Sequence, residues 1–106
     1  MERYDNFING KWQAPEGGRH YPIFNPAKPS EPLGEFPLSS AGDVDAAISA
    51  AAGAASSWAA VPGPQRGQML SRFAQLLDES KAELARIVTL EMGKPLGEAA
   101  GEVGRA

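Results

Sequence analysis

The chain has 106 residues, 42% of them apolar and 22% charged, with a formal net charge of −3. That length sustains one small core at most, and the apolar share excludes wholesale disorder. With no Lys/Arg cluster there is no electrostatic footprint for a phosphate backbone or an anionic membrane surface, and with no cysteine there is no disulfide, thiolate metal site or thiol nucleophile. The first residues, Met1 to Asp5, carry acids and no apolar stretch of the secretory kind, which predicts a cytoplasmic location. The uncharged run from Ala46 to Val61 is shorter than the roughly 20 residues a membrane span needs and reads as a soluble helix.

The chain divides near Ser40. Residues 1–39 hold aromatics, prolines and turn dipeptides; residues 40–106 hold alanine, leucine and charge at helical spacing. In the first region Asn9-Gly10 between Phe7-Ile8 and Lys11-Trp12 predicts a hairpin, because this pair supplies the two positive φ angles of a type I′ turn. Gly17-Gly18 marks a loop, and His20 to Phe24 is a short extended run stopped by Asn25-Pro26. Residues 27–32 are punctuated by proline, so Leu33 to Pro37 is expected to form a brief edge strand and no more.

In the second region Ser40-Ala41-Gly42-Asp43 resembles a capping box with Asp in place of Glu. It leads into Val44, Ile48, Ala51, Ala55 and Trp58, a narrow stripe suited to close packing against another helix. Pro62-Gly63-Pro64 breaks that run. Pro64 fits the first position of a helix presenting Met69, Leu70, Phe73, Leu76 and Leu77. Ser80 to Glu83 is a full capping box for a third helix with Leu84, Ile87, Val88 and Met92 inward, and Gly93 suits the left-handed residue that ends it. Pro95 can open a fourth helix carrying Leu96, Ala99, Ala100 and Val103, with Gly97, Gly101 and Gly104 permitting close helix contact. The predicted class is α+β: a hairpin and short strands, then about four helices.

No arrangement here is catalytic. Gly93-Lys94 lacks the glycine and the Ser or Thr of a phosphate loop, since Val88 and Pro95 stand there. The three late glycines follow a proline-started helix, where a dinucleotide fingerprint must follow a strand. His20 is the only histidine and is expected on a surface or loop without a triad setting. Asp78, Glu79, Glu83, Glu91, Glu98 and Glu102 sit at capping or exposed helical positions and read as a solvated face. Trp12 and Trp58 are expected to anchor the core, because no basic residues interleave with them as in a stacking platform.

Taken in order, Phe7 to Trp12, Asn25-Pro26-Ala27, Asp43 to Ala47, Trp58, Arg66, Leu70 with Arg72 and Leu76-Leu77, Glu83-Leu84-Ala85, Glu91 to Leu96, Glu98-Ala99 and Glu102-Val103 resemble the opening segment of the aldehyde dehydrogenase superfamily. The wording Phe36 to Ser40 and Gly101-Glu102-Val103 is similar to semialdehyde dehydrogenases. The resemblance implies a parent enzyme that oxidises an aldehyde to an acid with NAD or NADP, through a cysteine nucleophile and a glutamate that activates water. It implies that this segment belongs to the outer part of an α/β cofactor-binding domain, carries no catalytic residue, and binds no cofactor alone. Its partner is then the remainder of the dehydrogenase chain, in a parent forming a homo-oligomer, dimer or tetramer. By the same likeness the backbone of Phe24 and the side chain of Glu102 are the positions for a monovalent cation. The rival expectation is a free-standing helical module that uses its apolar faces to bind another protein.

Overall fold

A computed structural model describes residues 1–106. Its order is β1 (Asn6–Ile8), β2 (Lys11–Gln13), β3 (His20–Asn25), β4 (Lys28–Pro37), α1 (Ala41–Ala60), α2 (Gly63–Glu79), α3 (Lys81–Met92) and α4 (Leu96–Arg105). The fold is α+β, with strands giving way to helices between Pro37 and Ala41, where the composition changes. Spatially the chain forms two compact units. The first comprises residues 1–23 and 32–60, the second residues 24–31 and 61–106.

In the first unit, β1 and β2 pair antiparallel in the register Phe7↔Trp12 and Ile8↔Lys11, and the turn residues Asn9 and Gly10 have φ of 53° and 75°. Asn9 is the only non-glycine residue with positive φ, a conformation its short polar side chain tolerates. The Phe7 and Trp12 rings meet at 4.9 Å, yet Trp12 is 70% exposed, so the core anchor expected there is absent from this chain. Trp58, also expected inside, is exposed as well.

β3 and β4 form the second two-stranded sheet, joined through Pro26-Ala27. Here the expectation of a brief edge strand is corrected: β4 is continuous over ten residues despite Pro29, Pro32 and Pro37. Each strand of a two-stranded ladder keeps a free edge, which tolerates residues that lack an N–H. The N-terminal segment docks on β4 through the Arg3↔Glu35 bridge, a salt bridge of 2.9 Å between the same residues, and Tyr4 stacked on Phe36 at 4.9 Å. Gly34 lets it approach, since a Cβ there would lie 2.8 Å from the Tyr4 ring.

The cap of α1 forms as expected. The Asp43 carboxylate accepts from the Ser40 N–H at 2.7 Å while the Ser40 Oγ accepts from the Asp43 N–H at 3.2 Å. Asp43 also accepts from the Glu16 N–H at 3.0 Å, tying a loop to the helix start. The neighbour of α1 within its unit is β1 of the hairpin, not the helix its small-residue stripe predicts. Val44, Ile48 and Trp58 on that stripe stay exposed.

The second unit corrects four expectations. Pro64 is the second residue of α2, behind Gly63, still within the turn whose N–H groups need no intrahelical partner. Ser80 makes no side-chain cap to α3. Its N–H donates to Leu76 and Leu77, so it finishes α2 with φ −98° and ψ 8°, and a residue so held lacks the extended conformation a capping box needs. The one buried residue of α3 is Ala85, packed in the α3–α4 pair with Ala99; of the four expected inward, Leu84 and Val88 are half-buried, whereas Ile87 and Met92 are exposed. The glycines of α4 do not carry that contact: a Cβ at Gly97 or Gly101 would meet open space, and at Gly104 only the tip of Lys81.

Gly93 ends α3 in the left-handed conformation, φ 77°, with its N–H donating to the Thr89 carbonyl. A Cβ in that conformation costs about 1–2 kcal/mol.

Replacing Asp43 by alanine should speed amide exchange in the first turn of α1 and in Glu16 together, while Asp43→Asn, which keeps one acceptor, should do so less. The backbone donors hold the Asp43 carboxyl below its usual range. Its contribution is therefore complete above the ordinary value of 3.8 and lost as the pH falls through the lower folded value, so exchange at both places should rise together in that acidic window.

Candidate functional site

The residues singled out by resemblance, Phe24 and Glu102, both belong to the second compact unit, with residues 24–31 grouped with 61–106. Phe24 is the penultimate residue of β3. After it the Asn25 Oδ1 accepts from the Ala27 N–H at 2.9 Å and the Asn25 Nδ2 donates to Glu31 at 2.9 Å, which fixes the Asn-Pro turn from within. Pro26 in that turn lies against Gly93, 3.5 Å from where a Cβ would stand. Thus the turn and the end of α3 lie side by side.

Glu102 stands on α4, and its carboxylate takes the Lys94 ammonium in an ion pair and hydrogen bond. Lys94 lies in the short link after Gly93, so the pair staples that link onto the following helix. The hydrogen bond from Lys94, its positive charge and the more distant Arg105 hold the Glu102 carboxyl below its usual range. Nearby on the last turn of α3, the Thr89 hydroxyl is buried without a hydrogen-bond partner. No three His, Asp or Glu side chains converge in a metal-binding group. Oxygen donors such as the Phe24 carbonyl and the Glu102 carboxylate suit a hard monovalent cation, but the carboxylate already has a cationic partner.

His20 departs from the surface position expected for it. Its side chain is 5% exposed, with Nε2 2.9 Å from the Asp5 carboxylate and Nδ1 3.3 Å from the Gly18 carbonyl. Sequence reasoning missed this pair because Asp5 lies fifteen residues away, across the first hairpin. Only docking of the N-terminal segment on β4 brings them together. No hydroxyl or thiol joins the pair, so it ties chain segments and does not form a triad.

Two hollows in the first unit likewise offer no free catalytic group. One is lined by Phe7, Ile8 and Gly10 with the alanines 47, 50, 51 and 54 of α1, and has no titratable group. Another reaches Asp43, whose carboxylate is occupied by backbone N–H groups. On α2, Met69, Leu70 and Phe73 are each more than half exposed. Fully burying one such side chain is worth roughly 1.5–3 kcal/mol, so several kcal/mol of apolar stabilisation is unrealised on this helix. No helix is long and apolar enough to cross a membrane.

The profile of the aldehyde dehydrogenase family matches residues 12–106. The chain is 44% identical over 101 residues to an alpha-ketoglutarate semialdehyde dehydrogenase of Haloferax volcanii, covering 95% of this chain and 21% of that protein. It is 48% identical over 100 residues to malonate-semialdehyde dehydrogenase 3 of Geobacillus kaustophilus, covering 94% and 20%. Among solved structures, an NAD-dependent aldehyde dehydrogenase from Sinorhizobium meliloti superposes with a TM-score of 0.91 at 34% identity, over 98% of this chain and 21% of that one. The chain therefore spans about a fifth of the length of the relatives it matches.

Replacing Lys94 by methionine should let the Glu102 carboxyl titrate closer to its ordinary value of 4.5, followed by carboxyl-resolved NMR. In the parent sequence Glu102 stabilises the fold fully above 4.5 and loses that contribution as the pH falls through the lower folded value; in Lys94→Met this acid-dependent component should shrink. An unchanged Glu102 titration in Lys94→Met would show that the pair does not form in solution.

Proposed function

The chain belongs to the aldehyde dehydrogenase family, and we propose on that footing that it is the leading portion of an NAD- or NADP-dependent enzyme that oxidises an aldehyde, of the semialdehyde kind, to a carboxylic acid. Its own part is scaffolding. The carrying observation is the pairing of two facts: it matches about a fifth of each relative, and within that fifth it leaves the apolar faces of α1 and α2 exposed. The thiolate that attacks the aldehyde, the hydride transfer to nicotinamide and the glutamate that activates water for thioester release are assigned to the rest of the enzyme. This segment has no cysteine to supply the first of them.

Residues 1–39 and 40–106 serve as the strand-rich and helical portions of that scaffold. The partner is the remaining dehydrogenase polypeptide, and the same proposal includes a homo-oligomeric parent, dimer or tetramer, in the cytoplasm. A monovalent cation between the Phe24 carbonyl and Glu102 is supported by their shared compact unit and by the anionic state imposed on Glu102. Such an ion has to share the carboxylate with Lys94 or displace it. No observation favours the rival assignment as a free-standing interaction module.

The purified chain mixed with NAD or NADP and a panel of semialdehydes should produce no reduced nicotinamide. A polypeptide of the relatives' full length that begins with this sequence should produce it. Turnover by the segment alone would overturn the scaffolding assignment, and inactivity of the long polypeptide toward every aldehyde tried would overturn the enzymatic one.

A further inference from the structure

The protein has three asparagines, and their surroundings differ in the chemistry they allow. Asn25 precedes Pro26, which has no amide N–H to become a nucleophile, and both ends of its side-chain amide are hydrogen-bonded. Asn6 precedes the bulky Phe7, and its amide exchanges two hydrogen bonds with the Ser39 hydroxyl, at 3.0 and 3.1 Å. Asn9 precedes Gly10. It is exposed, no hydrogen bond holds its side chain or the Gly10 amide, and a Cβ built on Gly10 would meet nothing within 4 Å.

We propose that Asn9 is a site of spontaneous covalent modification, where deamidation and isomerisation convert the tip of the first hairpin to aspartate and isoaspartate. The Gly10 amide nitrogen attacks Cγ of Asn9 and loses its proton to solvent. The bond from Cγ to the side-chain nitrogen breaks, ammonia leaves, and a succinimide closes between the two residues. Water then opens the ring at either carbonyl. Opening at one restores a normal main chain with aspartate, and opening at the other leaves the main chain running through the former side chain, one methylene longer. No enzyme or oxidant is required.

The hairpin makes this position both reachable and sensitive. Strands β1 and β2 have three residues each, and so short a ladder opens readily, giving the flanking amide the freedom it needs to reach Cγ. A two-residue turn has no slack for an added methylene, because turn length sets the register of the strands. Isoaspartate at position 9 therefore disrupts the pairing Phe7↔Trp12 and Ile8↔Lys11. It also places a new negative charge beside the hollow lined by Ala47, Ala50, Ala51 and Ala54. This chemistry is independent of the catalytic assignment.

The full chain, aged at mildly alkaline pH without denaturant, is digested and mapped by mass spectrometry, with isoaspartate located by enzymatic methylation. Asn9 should convert several-fold faster than Asn6, with Asn25 intact. In the aged fraction the amides of Ile8 and Lys11, the pair that hydrogen-bonds across the turn, should lose hydrogen-exchange protection. Ser39→Ala, which frees the Asn6 side chain, should narrow the gap from the Asn6 side without slowing Asn9. Asn9 surviving intact, or converting no faster than Asn6, would overturn the proposal, as would an isoaspartate-bearing chain whose β1–β2 amides stay protected.

Discussion

The constraint on which this structure depends is that it has almost no interior of its own. Its buried residues are Pro15, Gly34, Ala85 and Ala99, none with a large side chain, while Val44, Ile48, Met69, Leu70 and Phe73 present apolar surface on two successive helices. A helix with one apolar stripe gains most of its stability by pressing that stripe against another element. Here α3 and α4 satisfy each other through alanines, but the outward stripes of α1 and α2 are left without cover. On the scaffolding proposal, further polypeptide covers them. Relatives five times longer, whose opening fifth has the same backbone, supply the context in which such stripes make sense.

The polar interactions fit that division of labour. Asp43 joins Ser40 and Glu16, Arg3 joins Glu35, His20 joins Asp5, and Lys94 joins Glu102. Each links a loop or terminus to a helix end or a strand, and none presents a free nucleophile to a cavity. They hold connections in place where the apolar packing is thin. What they provide is geometry: strands and helix ends set in fixed places.

The features legible in the sequence were those fixed by local backbone chemistry. Asn9-Gly10 turns as that dipeptide must, Ser40 and Asp43 cap α1 reciprocally, and Gly93 takes the left-handed conformation that ends α3. The departures arise where a neighbour decides. β4 runs through three prolines because a free edge permits them. Ser80 cannot cap α3 because it is still completing α2, and Trp12, whose ring meets Phe7, lacks the burial its size suggested. The pairing of His20 with Asp5 depends on long-range docking that no local pattern encodes. The ion pair between Lys94 and Glu102 was likewise not legible in the sequence, because it depends on how the Gly-Lys-Pro link folds back on α4.

The most direct test of this account is the behaviour of residues 1–106 alone in solution, measured by sedimentation alongside denaturant unfolding followed through helical circular dichroism. If the apolar faces were shaped for an absent remainder, the segment should bind an apolar dye, self-associate as its concentration rises, and unfold over a broad, weakly cooperative range. A monodisperse monomer that excludes the dye and unfolds in one sharp transition would contradict it.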